Sequence, residues 1–372
     1  MIQTLLRIVT RLDRYAVKIE QHLHDAKEAL NWTAEAKKRL KLIKNGYNGK
    51  NSEYKKTVLP YWKKYGLKPP KLWFDLYCAG KTSYNPRFIP DSVWFVHIIP
   101  YFNCIKVKTA YNDKSMFNRF MLGVKKPETV VKKIGGHYYN GDGGQIISRK
   151  EAEKLCCDEE HLIVKPTVGM KGRGIVFYGI GEGETKDISS VFDNFPKGFV
   201  AQKILHQHPL LARLNPSSIN TVRVISFHFK GEIYILSAQL RIGRSGARVD
   251  NVSAGGCACP IKPDGWLQEK SVNRQSEWTD STPDGIKYKD IQIPNYSGIL
   301  DSVRLLHKQL PYFNIVGWDF SVDEQNNPVL IEYNTKPGQN QIGCGTPTFG
   351  DMTEEVLEDV FIKKTLKNAF VR

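Results

Sequence analysis

Three side chains with oxygen ligands lie close together near the C-terminal end of the sequence. Asp319 lies in one short apolar run, and Glu332 and Asn334 lie in the next, with the polar segment 323–328 between them. Two apolar runs around such a segment predict a β-hairpin. Because successive side chains of a strand point to opposite faces, Glu332 and Asn334 share one face. Three hard oxygen ligands can therefore converge.

The surroundings of these acids leave two interpretations. Both apolar runs are rich in Val, Leu and Ile, where carboxylates are costly to desolvate unless a positive group lies between them. Mg²⁺ bridging substrate phosphates is such a group, since it prefers oxygen ligands. The other interpretation is a surface hairpin with solvated acids, because acids in strands are uncommon but not rare.

A second stretch combines a lysine inside an apolar strand with a glycine-rich segment. Lys165 lies in the run 162–166, where its charge is expensive without an anionic partner. The segment between this run and the apolar run 175–178 contains three glycines and two cations: Gly169, Gly172, Gly174, Lys171 and Arg173. Free backbone N–H groups and positive charge are typical of a hairpin tip that covers phosphates.

Short strands and helices surround these stretches. Ser148 and Glu151 have the spacing of a capping box, which predicts a helix over 149–157. Further predicted strands are 93–99, 145–147, 199–205, 219–229 and 232–241, and further predicted helices start after Asp113-Lys114 and cover 296–310 and 352–370.

The N-terminal region predicts a long helix. Apolar residues from Ile2 to Leu30 recur in alternate steps of 3 and 4, which is a heptad-like stripe over about four heptads. Such a helix docks on its own protein, forms a dimeric coiled coil, or lies on a membrane through its basic residues. The following segment, 37–64, mixes lysines with aromatic residues. This mixture is typical either of nucleic-acid or glycan binding or of a solvated helix face with its aromatics turned to the core.

Composition and spacing exclude several classes of protein. The 372 residues suffice for two or more lobes, and the net charge of +16 favours anionic partners. Seven scattered cysteines and no apolar signal segment indicate a reducing cytoplasm, and no apolar run is long enough for a transmembrane helix. Gly80-Lys81-Thr82 is not a P-loop, because Asp75 stands where the motif needs glycine. His206 and His208 have no third metal ligand nearby.

Together these motifs resemble the ATP-grasp superfamily, in particular the sugar-transfer-associated ATP-grasp proteins encoded with bacterial surface-polysaccharide genes. The resemblance covers about residues 112–345 and implies an α+β ATP-grasp fold, in which two α+β lobes sandwich ATP after a mainly helical N-terminal region. The implied boundaries are 1–111 for the N-terminal region, 112–205 for the small lid lobe and 206–372 for the large lobe with the metal site.

The resemblance also implies cofactors and site residues. ATP and two Mg²⁺ ions, with Mn²⁺ as a substitute, are expected, and the implied metal ligands are Asp319, Glu332 and Asn334. The implied nucleotide-binding residues are Lys114, Lys165, Gly169, Lys171, Gly172, Arg173, Gly174, Gln202, Lys203 and Leu205. The implied catalytic residues are Arg248 and Asn251, with Arg223 and Arg241 as substitutes and Lys336 near the acceptor. For the substitutes and for Lys336, structural salt bridges and a surface position are the other interpretations. Gln202 replaces the more usual glutamate of the family, and His206-Gln207-His208 replaces its acidic ribose contact.

The implied chemistry is ligation. A carboxylate attacks the γ-phosphate of ATP to give an acylphosphate, and an amine then displaces phosphate. We expect a carboxylate–amine ligase that attaches an amino acid or similar group to a sugar nucleotide or lipid-linked glycan in polysaccharide biosynthesis. The alternatives are a kinase that phosphorylates a sugar or polyol hydroxyl, and a non-catalytic nucleotide-binding subunit. We expect a cytoplasmic protein, with membrane or homodimer contacts through residues 1–45 left open and no nucleic-acid partner.

Overall fold

The computed structural model describes residues 2–43, 49–141, 144–169, 174–179, 181, 184–244, 246 and 255–366, without the side chains of 2–8 and 14. The chain divides into two compact units, residues 1–102 with 345–371 and residues 103–344. Helices and two antiparallel sheets form these units, so the expectation of an α+β protein with a helical N-terminal region is confirmed.

Helices build the first unit. The predicted long helix is confirmed as α1 (Ile2–Leu42). The helices that follow it are α2 (Asn51–Glu53), α3 (Leu59–Lys63), α4 (Leu72–Tyr77), α5 (Asp91–Val93) and α6 (Ile99–Phe102). No described residue of 2–102 lies in a β-strand of either sheet. The strand expected over 93–99 is therefore wrong.

Two π-helical turns, Tyr54–Val58 and Trp94–Ile98, explain how these helices contain proline. Each turn is followed by one residue and then a proline, Pro60 or Pro100. In a regular helix the proline ring meets the carbonyl four residues earlier, and its missing N–H leaves that carbonyl unpaired. A wide π turn moves that carbonyl away. The apolar run 93–99 is thus one buried helical segment, and its all-round hydrophobicity gave no helical period.

Aromatic side chains form the core of the first unit. Trp62, Trp73, Phe74, Trp94 and Phe102 are at most 1% exposed. In the segment 51–64 the lysines are exposed while the aromatic residues turn inward. The solvated-face interpretation of this lysine-rich segment is therefore the one that the structure supports.

The second unit begins with short helical turns and a six-stranded sheet. The turns include α7 (Lys108–Tyr111) and α8 (Phe117–Phe120), and the strand order is β3-β2-β1-β6-β4-β5. The strands are β1 (Thr129–Ile134), β2 (His137–Asn140), β3 (Ile146–Ile147), β4 (His161–Pro166), β5 (Val176–Gly179) and β6 (Gly198–Lys203). One face of this small sheet packs against α9 (Arg149–Cys157) and α10 (Ile188–Asp193). The capping box of Ser148 and Glu151 at the start of α9 is confirmed.

The rest of the second unit is a seven-stranded antiparallel sheet with the order β11-β10-β9-β8-β7-β12-β13. After α11 (Pro209–Ala212), its strands are β7 (Thr221–Phe229), β8 (Glu232–Ile242), β9 (Cys257–Pro260), β10 (Ser271–Asn273), β11 (Trp278–Thr279), β12 (Ile315–Val322) and β13 (Pro328–Asn334). The helix α12 (Tyr296–His307) packs on one face, which buries Val224, Trp318 and Phe320. The other face of this large sheet carries polar side chains, because the strands alternate.

The chain then passes through α13 (Gln341–Cys344) and returns to the first unit with α14 (Thr353–Glu358). A π turn, Asp359–Lys363, continues α14 and ends at Lys364, whose φ is +55°. The predicted helix over 352–370 is therefore shorter than expected, and residues 367–370 lie outside the described residues. No described helix combines the length and the apolar character needed to cross a membrane.

Candidate functional site

Lys114 is held in place by its neighbours in the chain. Asp113 caps the turn that starts at Lys114, and its Oδ1 accepts hydrogen bonds from the N–H of Ser115 at 2.8 Å and from its hydroxyl at 2.6 Å. The backbone N–H of Lys114 donates to the carbonyl of Thr167, just after β4, at 2.9 Å. The capped turn and this hydrogen bond fix the start of the Lys114 side chain against the small sheet.

Two lysines converge on one glutamate. The Nζ of Lys114 donates to the carbonyl of Gly169 at 3.1 Å and lies 3.4 Å from Oε1 of Glu332 on β13. The Nζ of Lys165 on β4 donates to Oε1 of Gln202 on β6 at 3.1 Å. Lys114 therefore contacts an acid of the large sheet, and the same acid acts electrostatically on Lys165.

Burial brings the pKa of Lys165 close to neutral pH. Burial lowers its pKa from 10.5 to about 8, Glu332 opposes this change, and Lys114 adds to it. Any further negative charge beside Lys165 would stabilise its protonated form. Phosphate oxygens are such a charge.

The same face of the small sheet carries a residue that sequence reasoning missed. Lys132 on β1 and Lys165 on β4 both lie opposite Val200 of β6, so all three share one row and one face. Lys132 is only 4% exposed. In the sequence it is one half of a Lys132-Lys133 pair within an apolar strand, and only the pairing register shows which of the two shares the face of Lys165.

A β-bulge sets the geometry of the hairpin. Asp319 lies opposite Glu332 and Gly317 lies opposite Asn334, and the register then shifts by one residue, which leaves Ile331 without a partner in β12. The shift keeps the apolar residues of both strands on the α12 face while the acids meet on the other. The predicted common face of Glu332 and Asn334 follows directly from this register.

Asp319 is already paired with two arginines. It is 3% exposed, and its Oδ1 and Oδ2 accept from Nε and Nη2 of Arg223 at 2.6 and 2.7 Å, while Nη2 of Arg241 lies 3.3 Å from Oδ1. Burial disfavours the carboxylate, but the two arginines outweigh it and hold the Asp319 pKa below its ordinary range. The fork of Arg223 matches both carboxylate oxygens, which is the geometry of a strong pair.

The turn after β13 folds back over the sheet. Oδ1 of Asn334 accepts from the backbone N–H of Lys336 at 2.9 Å, which makes a local turn. A side chain at Gly317 would place its Cβ 2.8 Å from Cβ of Pro337. Glycine at position 317 therefore allows the turn to lie directly on β12.

Gln239 is a second polar residue that sequence reasoning missed. It stands in one row with Arg223 and Asp319 on the polar face of the large sheet. Gln239 is 8% exposed, and its Oε1 has no hydrogen-bond partner among the described residues. No feature of the sequence distinguishes this glutamine within an otherwise ordinary strand.

Other expected site residues lie elsewhere or outside the described residues. Strand alternation turns Lys203 away from Gln202, and its Nζ pairs with Glu128 at 3.1 Å and Glu159 at 3.0 Å. Leu205 follows β6 in the connecting segment, and Gly174 has a φ of +72°. The residues Lys171, Gly172, Arg173, Arg248 and Asn251 fall outside the described residues.

The structure gives His208 and Gln207 structural contacts. The Nδ1 of His208 accepts from the N–H of Leu210 at the start of α11, and Gln207 is buried and hydrogen-bonded to the segment 215–220. Across the described ranges, no three or more His, Cys, Asp or Glu side chains form a group that could hold a metal ion. The expected metal ligands are not such a group, because one of the three is Asn334, which is not among these four residue types.

Comparison with known families shows where the chain belongs. A family model described as sugar-transfer associated ATP-grasp matches residues 98–349, which is more than half of the chain. The chain belongs to this ATP-grasp family. The membership agrees with the two antiparallel sheets and with the fold expected from the motifs. No curated protein matches the chain in sequence.

Solved structures with a similar fold include two ligases and a carboxylase domain. L-amino acid ligase from Bacillus licheniformis is 12% identical over 68% of this chain and 49% of its own, with a TM-score of 0.39. D-alanine-D-alanine ligase from Helicobacter pylori is 13% identical over 70% and 62%, with a TM-score of 0.40. The biotin carboxylase domain of 2-oxoglutarate carboxylase from Hydrogenobacter thermophilus, solved with MgADP, is 15% identical over 73% and 49%, with a TM-score of 0.42. The chain thus spans about half to two thirds of these proteins, and likenesses at this level carry no argument about activity.

Proposed function

We propose that the chain is an ATP-dependent carboxylate–amine ligase that acts through an acylphosphate. The observation that carries the proposal is the convergence of Lys114 and Lys165 on Glu332, in a chain of the ATP-grasp family. Two lysines close to one acid would repel each other less with an anion between them. ATP phosphates supply this anion between the lysines, and Mg²⁺ bound to them supplies a positive charge for Glu332.

The residues of the small sheet bind the nucleotide in this proposal. Lys114 and Lys165 neutralise the phosphates, and Lys132 adds a third cation on the same face. Backbone groups of Gln202 to Leu205, at the end of β6, meet the adenine. The glycine-rich segment 169–174 covers the phosphates.

The donor set of the large sheet fits Mg²⁺ in part. The Glu332 side chain is 46% exposed and Asn334 lies beside it on the same face, so both offer oxygens to a metal ion. Asp319 is paired with Arg223 and Arg241, so it can supply a third oxygen only if its carboxylate binds the metal ion and these arginines together. When bound, Mg²⁺ would neutralise charge on the transferring phosphate.

The arginines of the polar face suit the acyl group. Arg223 and Arg241 lie one strand and two strands from β12, and each presents a guanidinium beside Asp319. A guanidinium can stabilise the oxyanion that forms when the amine attacks the acylphosphate. We propose the same role for Arg248 and Asn251, and contact with the acceptor for Lys336.

The substrates follow from the family and from the charge of the chain. The family is described by its association with sugar transfer, and the net charge of +16 favours an anionic substrate. We therefore propose that the carboxylate belongs to a sugar nucleotide or lipid-linked glycan and that the amine comes from an amino acid or similar group. The reaction would take place in the cytoplasm or at the inner face of the membrane.

A substrate matrix tests this proposal. ADP release is followed with purified protein, MgATP, and pairs of sugar carboxylates and amino acids, and each active pair is analysed by mass spectrometry. We expect ADP release only when carboxylate, amine and Mg²⁺ are all present, with an amide in the product. A phosphorylated hydroxyl would instead show a kinase. Tight ATP binding with no turnover for any pair would show a non-catalytic nucleotide-binding subunit.

The pKa of Lys165 gives a pH prediction. Below pH 8 this lysine is already charged, so binding of a non-hydrolysable ATP analogue needs no proton. Above pH 8 the free protein must take up a proton when it binds, so we expect affinity to fall by up to about tenfold for each pH unit up to the pKa of the bound state. Titration calorimetry in buffers of different ionisation enthalpy measures both effects.

The variant Lys165→Arg is the control for this pH dependence. Arginine stays charged at every pH used, so the fall in affinity above pH 8 should disappear even if the overall affinity drops.

The stability of the free protein provides a second check on the pKa of Lys165. Between pH 8 and 10.5 the unfolded lysine holds a proton that the folded lysine does not, so this residue makes stability rise with pH in that window. An affinity that is flat up to pH 10 in the wild type would contradict the assignment.

A further inference from the structure

The described side chains of the long helix α1 contact its own unit through one face of the helix. Trp32 stacks on Phe95 with ring centroids 4.0 Å apart, and Ala36 is 1% exposed. Contacts of α1 with α4, α5 and the following π turn complete this packing. Among the described side chains, those that touch the unit lie between positions 25 and 40, and those of 9–24 are exposed.

A second apolar face of α1 is exposed to solvent. Its residues follow a strict seven-residue repeat: Val9, Leu12, Ala16, Ile19, Leu23, Ala26 and Leu30. The five large side chains among them are 51 to 71% exposed. At 100° per residue this stripe lies roughly 140° around the helix from the face of Trp32 and Ala36. Docking on its own protein, expected from the sequence as one role of this helix, therefore uses a different face.

The repeat indicates that the stripe contacts another helix. A straight α-helix drifts about 20° per heptad against a seven-residue repeat, so only a partner that supercoils with it keeps the whole stripe in contact. A membrane surface fits less well. Residues 1–30 contain five Lys or Arg and four Asp or Glu, a net charge of 5 − 4 = +1, which gives little attraction to anionic lipid.

We propose that α1 forms a parallel, in-register, two-stranded coiled coil with α1 of a second copy of this chain. The side chains that flank the stripe favour this direction. In a parallel pair, Tyr15 faces Glu20 and His22 faces Lys27 of the second copy, so no like charges meet. In the two antiparallel registers that align most of this stripe, Glu20 faces either Asp13 or Glu20 of the second copy, and like charges oppose association.

The position of the first unit on α1 permits the parallel arrangement. Because the Trp32 and Ala36 face points away from the stripe, the rest of each first unit lies on the outer side of its own α1. The first units of the two copies can therefore lie at the same end of the coiled coil without contact. The stripe from Val9 to Leu30 is about 32 Å long, and Ala16 and Ala26 make small layers within it. We thus expect weak association that depends on protein concentration.

Sedimentation velocity of the full-length chain tests the proposal. The wild type should form dimers as its concentration rises to about 200 μM, and Leu12→Asp combined with Leu23→Asp should weaken the dimer at least tenfold. The matched control is Val17→Asp, because Val17 is 62% exposed, as Leu12 is, but lies off the stripe. This control should dimerise like the wild type. Circular dichroism confirms that all variants keep their helix.

Direction and partner are tested separately. In a Cys157→Ser background, which removes the exposed cysteine, mild oxidation of Leu12→Cys should give a covalent dimer, and Val17→Cys should not. A wild type that stays monomeric at all concentrations would overturn the proposal, as would a control weakened as much as the stripe variant. Covalent dimers only from a mixture of Leu12→Cys with Leu23→Cys or with Leu30→Cys would show an antiparallel pair. Flotation of monomeric wild type with phosphatidylglycerol vesicles, lost in the stripe variant, would assign the stripe to a membrane.

Discussion

Replacing Glu332 with glutamine should reduce the rate of ADP formation by about 10²–10³-fold, because a single group that organises charge at a phosphoryl-transfer site contributes on this scale. The change keeps the size of the side chain. It removes the negative charge that lies 3.4 Å from Lys114 and that supports the charge of Lys165. The rate is measured by steady-state ADP release at saturating MgATP.

The controls for Glu332→Gln separate chemistry from folding. The Glu332 side chain is 46% exposed, so the melting temperature should hardly change. Glu324→Gln makes the same substitution in the exposed turn of the same hairpin and should leave the rate unchanged. The pKa of Lys165 should fall further in Glu332→Gln, because its favourable partner is gone. Equal rates of ADP formation for Glu332→Gln and Glu324→Gln would show that Glu332 is not part of the site.

Replacing Arg223 with alanine should destabilise the second unit by about 3 kcal/mol, because removing one partner of a buried ion pair leaves the other charge uncompensated. The Asp319 and Arg223 side chains are 5% and 14% exposed, and they share two short hydrogen bonds. Arg241, at 3.3 Å, remains as a weaker partner and limits the loss. Urea denaturation at pH 7 measures the change.

A double variant shows whether the loss comes from the uncompensated charge. Arg223→Met with Asp319→Leu removes both partners and should recover most of the stability. Acidification provides a second check. The lowered pKa of Asp319 stabilises the folded wild type above the unfolded value of about 3.9, and this contribution is lost as the pH falls through the folded value. Arg223→Ala should lose less stability than the wild type over that range.

Part of the fold could be predicted because its local patterns have one solution. The spacing of Ser148 and Glu151 predicts the start of a helix, and the two apolar runs around the polar segment 323–328 predict a hairpin, so each pattern fits one kind of element. The run 93–99 has no such pattern. It is apolar on every side, so a buried strand and a buried helix have the same sequence pattern, and only its packing in the first unit decides between them.

Residues of the candidate site stand out in the sequence where a charge lies among apolar residues. Lys165 and Asp319 are charges in apolar strands, which the sequence alone shows to be costly. The sequence does not show which lysine of the Lys132-Lys133 pair faces the candidate site, and it does not distinguish the uncharged Gln239, because both places depend on the register of neighbouring strands. The pair of Asp319 with Arg223 is hidden for the same reason, since the two residues are far apart in sequence and lie opposite each other only in the folded sheet.

The most direct test of the ligase proposal follows the oxygen atoms of the carboxylate. The substrate pair that stimulates ADP release is supplied with an ¹⁸O-labelled carboxylate, and the released phosphate is analysed by mass spectrometry. An acylphosphate route transfers one labelled oxygen to each phosphate when the amine displaces it, so we expect phosphate with one ¹⁸O per turnover and an amide in the product. Unlabelled phosphate would contradict the route, and transfer of the γ-phosphoryl group to a hydroxyl would replace the ligase with a kinase.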